Sequence, residues 1–173
     1  MMRVREHDEA AFETLMRRHE ERVFMLAFRV LGSREEARDL AQELFIALWE
    51  NPRAWKPTAL FTTWLHRVTL NRALNRLRML KVKLFLRLSD YDPDELPIPD
   101  PSPNPEQQVT DAERQQAFEA AFRRLPPRQR AALHLRYREE LPVAEVARAL
   151  GVSLKSAESL IFRGKQALRN EIR

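Results

Sequence analysis

The stretch "SDYDPDELPIPDPSPNPEQQ", residues 89–108, constrains the fold more than any other part of the chain. It holds six prolines and almost no apolar side chain. Proline removes amide donors, and closely spaced carboxylates repel one another, so such a segment joins neither a helix bundle nor a sheet. It predicts an extended, mobile connector between two folded units. A chain of 173 residues is long enough for two small domains. With only three glycines, tight-turned β architecture is disfavoured. The expected fold is all-α: two small helical domains joined by a flexible Pro-rich acidic linker, the second a four-helix domain with a helix-turn-helix. The boundaries are 1–88, 89–110 and 111–173.

Helical periodicity supports that reading on both sides of the connector. Phe12, Leu15, Met16, His19, Val23, Leu26, Ala27 and Val30 keep one face of a helix from about Glu9 to Leu31, and Gly32 supplies a left-handed stop. "SREE" then reads as a capping box, with Ser33 as N-cap and Glu36 three residues on. The helix that follows buries Ala37, Leu40, Ala41, Leu44 and Leu48 and ends at Asn51-Pro52. A third is expected from about Ala59 to Leu77 or beyond, its buried face beginning with Phe61, Trp64, Leu65 and Val68. "MLKVKLFLRL" (79–88) alternates like a strand, but it continues that helix and has no strand partner, so helical extension is the expectation. Beyond the connector, "AERQQAFEAAFRRL", "PRQRAALHLRY", "PVAEVARALG" and the run from Ser153 give four more helices, with Pro127 in a first turn and Gly151 as a stop.

Charge is segregated. Residues 66–88 carry seven Lys/Arg and no acid, residues 89–113 eight acids and no base, and residues 114–138 seven Arg and one acid. Two basic blocks around an acidic connector suggest a polyanion partner, against the plainer reading of solvated helix faces. No catalytic constellation appears. There is no cysteine, and the four histidines, His7, His19, His66 and His134, lack metal-ligand spacing. No Gly-rich phosphate loop or nucleophile motif is present. His19 and His134 lie within helical patterns and read as satisfied structural residues. No enzyme activity, cofactor or metal is expected. No apolar run approaches the roughly 18–20 residues of a membrane span, and the N-terminus lacks a signal-peptide core, so a cytoplasmic protein without membrane insertion is expected.

Three surfaces stand out. In the last two helices Val146, Ala147 and Leu150 point inward, Gly151 permits the tight turn, Val152 plugs the junction and Ser153 caps the final helix. There Ala157, Ile161, Gly164 and Leu168 face the core, which turns Lys155, Ser156, Ser159 and Arg163 outward. That suits a recognition helix, whose first turns reach base edges, although a hairpin used only for packing has the same pattern. On the third helix Arg67, Asn71, Asn75 and Arg78 share one face, widened by Arg72 and Arg76. Arg with Asn suits phosphate and base contacts, or simply solvent. On the second helix Asp39, Gln42, Glu43 and Ile46 share a face. An apolar residue among acids hints at a protein partner, though single exposed Ile residues are common.

In this order the motifs resemble one family over nearly the whole chain, the extracytoplasmic-function group of bacterial sigma factors. "EEARDLAQELFIALW" resembles the helix that docks on the clamp helices of the polymerase largest subunit. "FTTWLHRVTLNRALNRLR" resembles the helix that opens and reads the promoter −10 element. "LPPRQRAALHLRYREELPVAEVARALGVSLKSAESLIFRGKQALR" resembles the domain that reads the −35 element. The resemblance implies an alternative sigma factor with core RNA polymerase, promoter DNA and an anti-sigma factor as partners. It assigns Asp39, Gln42, Glu43 and Ile46 to polymerase binding. It assigns Arg67, Asn71, Arg72, Asn75 and Arg78 to the −10 strand, with the loop from Asn51 to Leu60 capturing a flipped base. It assigns Lys155, Ser156, Glu158, Ser159, Arg163 and Lys165 to the −35 element. Glu158, Leu160 and Phe162 depart from the family's more basic pattern, which bears on the sequence read at −35. The apolar "KVKLFLRL" replaces a more basic tail and is a candidate anti-sigma contact.

Two other readings compete. A conventional helix-turn-helix regulator would bind DNA without polymerase and carry a ligand pocket or dimer surface in residues 1–80. A decoy would bind polymerase but no promoter.

Overall fold

The computed structural model describes residues 1–58, 60–88 and 111–171. Helices α1 (Glu9–Leu31), α2 (Arg34–Glu50) and α3 (Phe61–Leu88) form the first unit, and α4 (Asp111–Arg124), α5 (Pro127–Leu133), α6 (Val143–Leu150) and α7 (Leu154–Glu171) the second. No strand occurs among the described residues. The connector lies outside them, so the expectation of mobility for it does too.

Local chemistry sets most boundaries. The Asp8 carboxylate accepts from the Ala11 amide and caps α1, and Gly32 ends that helix at φ 78°. The Ser33 hydroxyl accepts from the Glu36 amide at 3.3 Å and starts α2. The reciprocal arm of the expected capping box is diverted: the Glu36 carboxylate takes the guanidinium of Arg76 instead. Asn51 and Pro52 end α2 in a short 3-10 turn. α3 starts at Phe61, two residues later than expected, and runs through 79–88 as helix.

α1 packs on α2 and α3 around Val23, Ala41, Leu44, Phe45, Leu48 and Leu65. Phe45, which the expected stripe omits, is buried with them. In the second unit α5 continues into a wide π-type turn, His134–Arg138, before α6. Gly151 turns the chain at φ 63°. The Ser153 hydroxyl then accepts from the Ser156 amide at 3.2 Å and starts α7. Inside α7, Gly164 lets the helix approach α5 closely; a Cβ there would sit 2.9 Å from Leu133 Cδ1.

The two units are docked. Leu26, Val30, Leu40, Leu70 and Ala73 of the first share one buried cluster with Leu133, Leu135, Val146, Leu150 and Ile161 of the second. Polar groups stitch the seam. Arg29 forks onto Glu119 at 2.5 and 3.0 Å and lies 5.0 Å over the Phe122 ring. Thr63 Oγ1 donates to Glu145 at 2.9 Å. Arg130, only 8% exposed, donates to the carbonyls of Val30 and Arg123, each at 2.7 Å. Charge-assisted bonds of this kind are short and strong because the donor is already ionised.

Candidate nucleic-acid interface

Burial on one side of α3 fixes what the other side presents. Leu65, His66, Thr69, Leu70 and Ala73 are buried, and Thr69 returns its hydroxyl to the Leu65 carbonyl at 2.8 Å. The helical period therefore turns Arg67, Asn71, Asn75 and Arg78 to solvent, as the sequence predicts. Asn75 accepts from Arg78 at 3.4 Å, so these two form one polar edge. Arg72 is half-buried beside Asn75 and Met79. Arg76 corrects the expectation. It does not widen the exposed Arg/Asn face but turns to α2, where it meets Glu36, lies 3.1 Å from Glu43 and 3.7 Å from Asp39.

That ion cluster also shapes the α2 face. Asp39, Gln42, Glu43 and Ile46 are all exposed, Ile46 at 49%. Asp39 and Glu43 share Arg76, so part of their charge is already met. Behind Gln42 and Ile46 runs a groove of about 670 Å³ between α1 and α2, with Phe12, Met16, Phe24, Phe45 and Trp49 in its walls. Sequence reasoning missed this groove. Periodicity places Phe12 and Met16 on the buried stripe, where they do pack on the core, and gives no sign that their edges leave an open groove.

On α7, Ala157, Ile161 and Gly164 are buried, so Lys155, Ser156, Glu158, Arg163 and Lys165 are exposed and Ser159 is half-buried. Lys155 and Glu158 are exposed in the first two turns and Arg163 in the third. Ser156 is partly committed, since its hydroxyl accepts from Ser153 Oγ at 3.1 Å in the cap. The Lys165 ammonium lies 5.6 Å above the Tyr137 ring, which holds it toward the π-type turn and away from Lys155. Phe162 stands 66% exposed beside Glu158. The arrangement offers cations, hydroxyls and one carboxylate to a groove, with a flat ring at its edge.

His134 is buried but not satisfied: its Nε2 has no hydrogen-bond partner, and neither does Nδ1 of buried His66. Both rings face Glu139, at 3.7 and 3.8 Å. The helical pattern reads His134 as a satisfied structural residue and carries no sign that His66 joins it. Burial holds the His66 ring down to about 4. The neighbouring His134 ring holds the Glu139 carboxyl below its usual range, against the opposing effect of burial. No described group of His, Asp and Glu has the arrangement to hold a metal ion, and no described helix is long and apolar enough to cross a membrane.

Comparison with known proteins places both units. Sigma-70 region 2 matches residues 15–81, and Sigma-70 region 4 matches residues 115–168. The chain is 37% identical over 169 residues to the ECF RNA polymerase sigma factor SigE of Mycolicibacterium smegmatis, covering 94% of this chain and 63% of that one. It therefore spans a little under two thirds of that relative. It is 28% identical over 174 residues to the ECF RNA polymerase sigma factor SigW of Bacillus subtilis, covering 98% and 93%. Its fold resembles that of the sigma factor RpoE solved with the anti-sigma factor NepR from Bartonella quintana, at TM-score 0.67 and 16% identity over 94% and 96% of the two chains. It also resembles CnrH solved with the cytosolic domain of CnrY, at TM-score 0.64 and 21% identity over 98% and 92%. Two family regions in order, on the two units that the helices define, lead to one conclusion: the chain belongs to the extracytoplasmic-function group of the sigma-70 family.

Proposed function

We propose that this protein is an alternative sigma factor, acting in the cytoplasm, that recruits core RNA polymerase to its own promoters. The observation that carries the reading is the exposure of three separate faces on one chain: the α2 acids with Ile46, the α3 Arg/Asn face and the first turns of α7. Asp39, Gln42, Glu43 and Ile46 meet basic and apolar groups of the polymerase, and the contact continues into the α1–α2 groove. Arg67, Asn71, Arg72, Asn75 and Arg78, with the loop from Asn51 to Leu60, hold the unpaired −10 strand. Lys155, Ser156, Glu158, Ser159, Arg163 and Lys165 face the −35 element. The work is binding, not bond-making: captured bases offset part of an unpairing cost of a few kcal/mol each.

Docking of the units has a consequence for this reading. Elements named −10 and −35 lie about 25 base pairs apart, which at 3.4 Å each is about 85 Å. In the docked chain α3 and α6 touch through Thr63 and Glu145, and α7 adjoins α6. The docked form cannot place both readers on one promoter, so the units separate before or during promoter binding. The 22 residues between Leu88 and Asp111 reach at most about 75 Å. With the breadth of the two units added, the span is covered, and the tether makes the second contact intramolecular. An anti-sigma partner that favours the docked form would act as a repressor.

Reconstitution with bacterial core polymerase and a genomic promoter library tests the function. Transcripts sharing one pair of upstream elements support it. No association with core polymerase sinks it, and tight sequence-specific DNA binding by the free chain favours a conventional regulator.

A further inference from the structure

We propose that His66, Glu139 and His134 form a proton-operated latch that holds the helix-turn-helix unit on the first unit and releases it on mild acidification. The proposal rests on the reading above only in that release is what frees the two DNA readers.

The three groups come from two units and meet only when these are docked. His66 is on α3, and His134 and Glu139 are on the π-type turn that follows α5. The Glu139 carboxylate sits between the rings, 3.8 Å from His66 Nε2 and 3.7 Å from His134 Nε2. Both rings are about 4% exposed. His66 Nδ1 and His134 Nε2 are left without hydrogen-bond partners, an arrangement that costs stability in a packed seam and is retained here beside a carboxylate. From α1, Arg22 Nε reaches Glu139 at 3.5 Å, and His19 faces the same cluster. A polar cavity of about 300 Å³ adjoins it, lined by Glu21, Arg22, His134, Arg138, Glu139 and Glu140, and gives protons a route in.

The direction follows from which groups change on separation. Docking buries His66 and drives its pKa from an ordinary 6.5 to about 4; Glu139 offsets part of that, while His134, Arg22 and His19 add to it. A depressed histidine favours the docked form above pH 6.5, and that contribution is lost as pH falls through 6.5 toward 4. At pH 5.5 the loss amounts to at most about tenfold in the docking equilibrium, the value reached when separation returns the ring to its ordinary pKa. Glu139 is lowered in the docked form from an ordinary 4.5, so above about pH 5.5 it is ionised in both forms and adds no slope there. His19 is also lowered by burial, but its ring packs 5.4 Å from Phe61 inside the first unit, so separation leaves most of its surroundings in place.

The chain has no cysteine, so cysteines introduced at exposed Glu13 and Asn170 accept a dye pair without background. In the free full-length chain, energy transfer is expected to be high at pH 7.5 and to drop by pH 5.5, with docking weakened by up to about tenfold. His66→Gln should flatten that response to under about twofold, and Glu139→Gln should lower transfer already at pH 7.5. An unchanged pH response in His66→Gln, or none in the unsubstituted chain, overturns the latch. Circular dichroism checks folding of each variant. Should His66→Gln unfold the first unit, NMR titration of the unsubstituted chain decides: His66 neutral at pH 6 in the docked chain supports the latch, and His66 protonated there overturns it. Neither measurement involves polymerase or promoter, so failure of the latch and failure of the sigma reading are separate results.

Discussion

The guanidinium of Arg130 donates to the carbonyl of Val30 at 2.7 Å, across 100 positions of sequence and from one folded unit to the other. Its other arm holds the Arg123 carbonyl at the end of α4. One side chain thus closes the second unit on itself and fastens it to the C-terminal end of α1.

Arg130→Met should therefore loosen docking more than it unfolds either unit. A buried carbonyl at Val30 and a part-buried one at Arg123 lose a charged donor, at a cost of about 2–3 kcal/mol. Urea unfolding should change from one transition to two, or to one of reduced slope. Arg130→Lys keeps the charge but not the fork, and should fall nearer to Met than to Arg.

Arg76 predicts a division among the α2 acids. Glu36 belongs to the internal ion cluster, whereas Asp39 and Glu43 are about half exposed and offer their charge outward. Glu36→Gln should cost on the order of 0.5–1 kcal/mol of stability, since the pair is partly solvated, and leave core polymerase affinity unchanged. Asp39→Arg with Glu43→Arg should lower that affinity by tenfold or more, on the order of 1.4 kcal/mol, in a competition assay. The reverse ranking would remove α2 as the docking face.

On α3, Asn71→Ala should leave polymerase binding intact and reduce promoter opening. Permanganate reactivity of unpaired thymines within the −10 element measures this directly. An open complex formed at the normal rate would take Asn71 out of the strand-capturing surface.

On α7, Arg163→Ala should weaken use of most promoters and reduce the salt dependence of binding by about one unit of slope, as loss of a phosphate contact does. Glu158→Lys should behave differently. Glu158 is exposed on the same helix as Lys155, and on the proposed reading its carboxylate would accept from a cytosine amino group or exclude other bases. Its replacement should shift or loosen the −35 preference in a promoter-library selection, and an unchanged profile would make Glu158 a bystander.

What was legible in the chain was local. Gly32, Ser33, Gly151 and Ser153 mark helix ends because their effect depends on one turn of backbone. The apolar stripes of α2, α3 and α7 set which residues face solvent, and so the three exposed faces followed. Arg76 was misread because its partners lie 33 to 40 positions away, and a basic residue among basic residues gives no local sign that it faces acids. The latch was invisible for the same reason. His66 joins His134 and Glu139 only through docking, and nothing in the periodicity of "RQRAALHLRYREELP" announces the π-type turn that pairs the latter two. The docked seam itself uses apolar residues that the stripes assign to each unit's own core.

Gly164 has an effect that reaches beyond its own neighbourhood. The missing methyl group there sets how closely α7 lies on Leu133, and so sets the tilt of the whole helix. Lys155 stands nine residues away, about 13 Å along the axis. A tilt of ~5° about that contact would swing the leading turn by about 1 Å, twice the placement error that a binding constellation tolerates. The exposed face of α7 is thus aimed from the core, and on the proposed reading a residue that never touches DNA would set the direction of those that do.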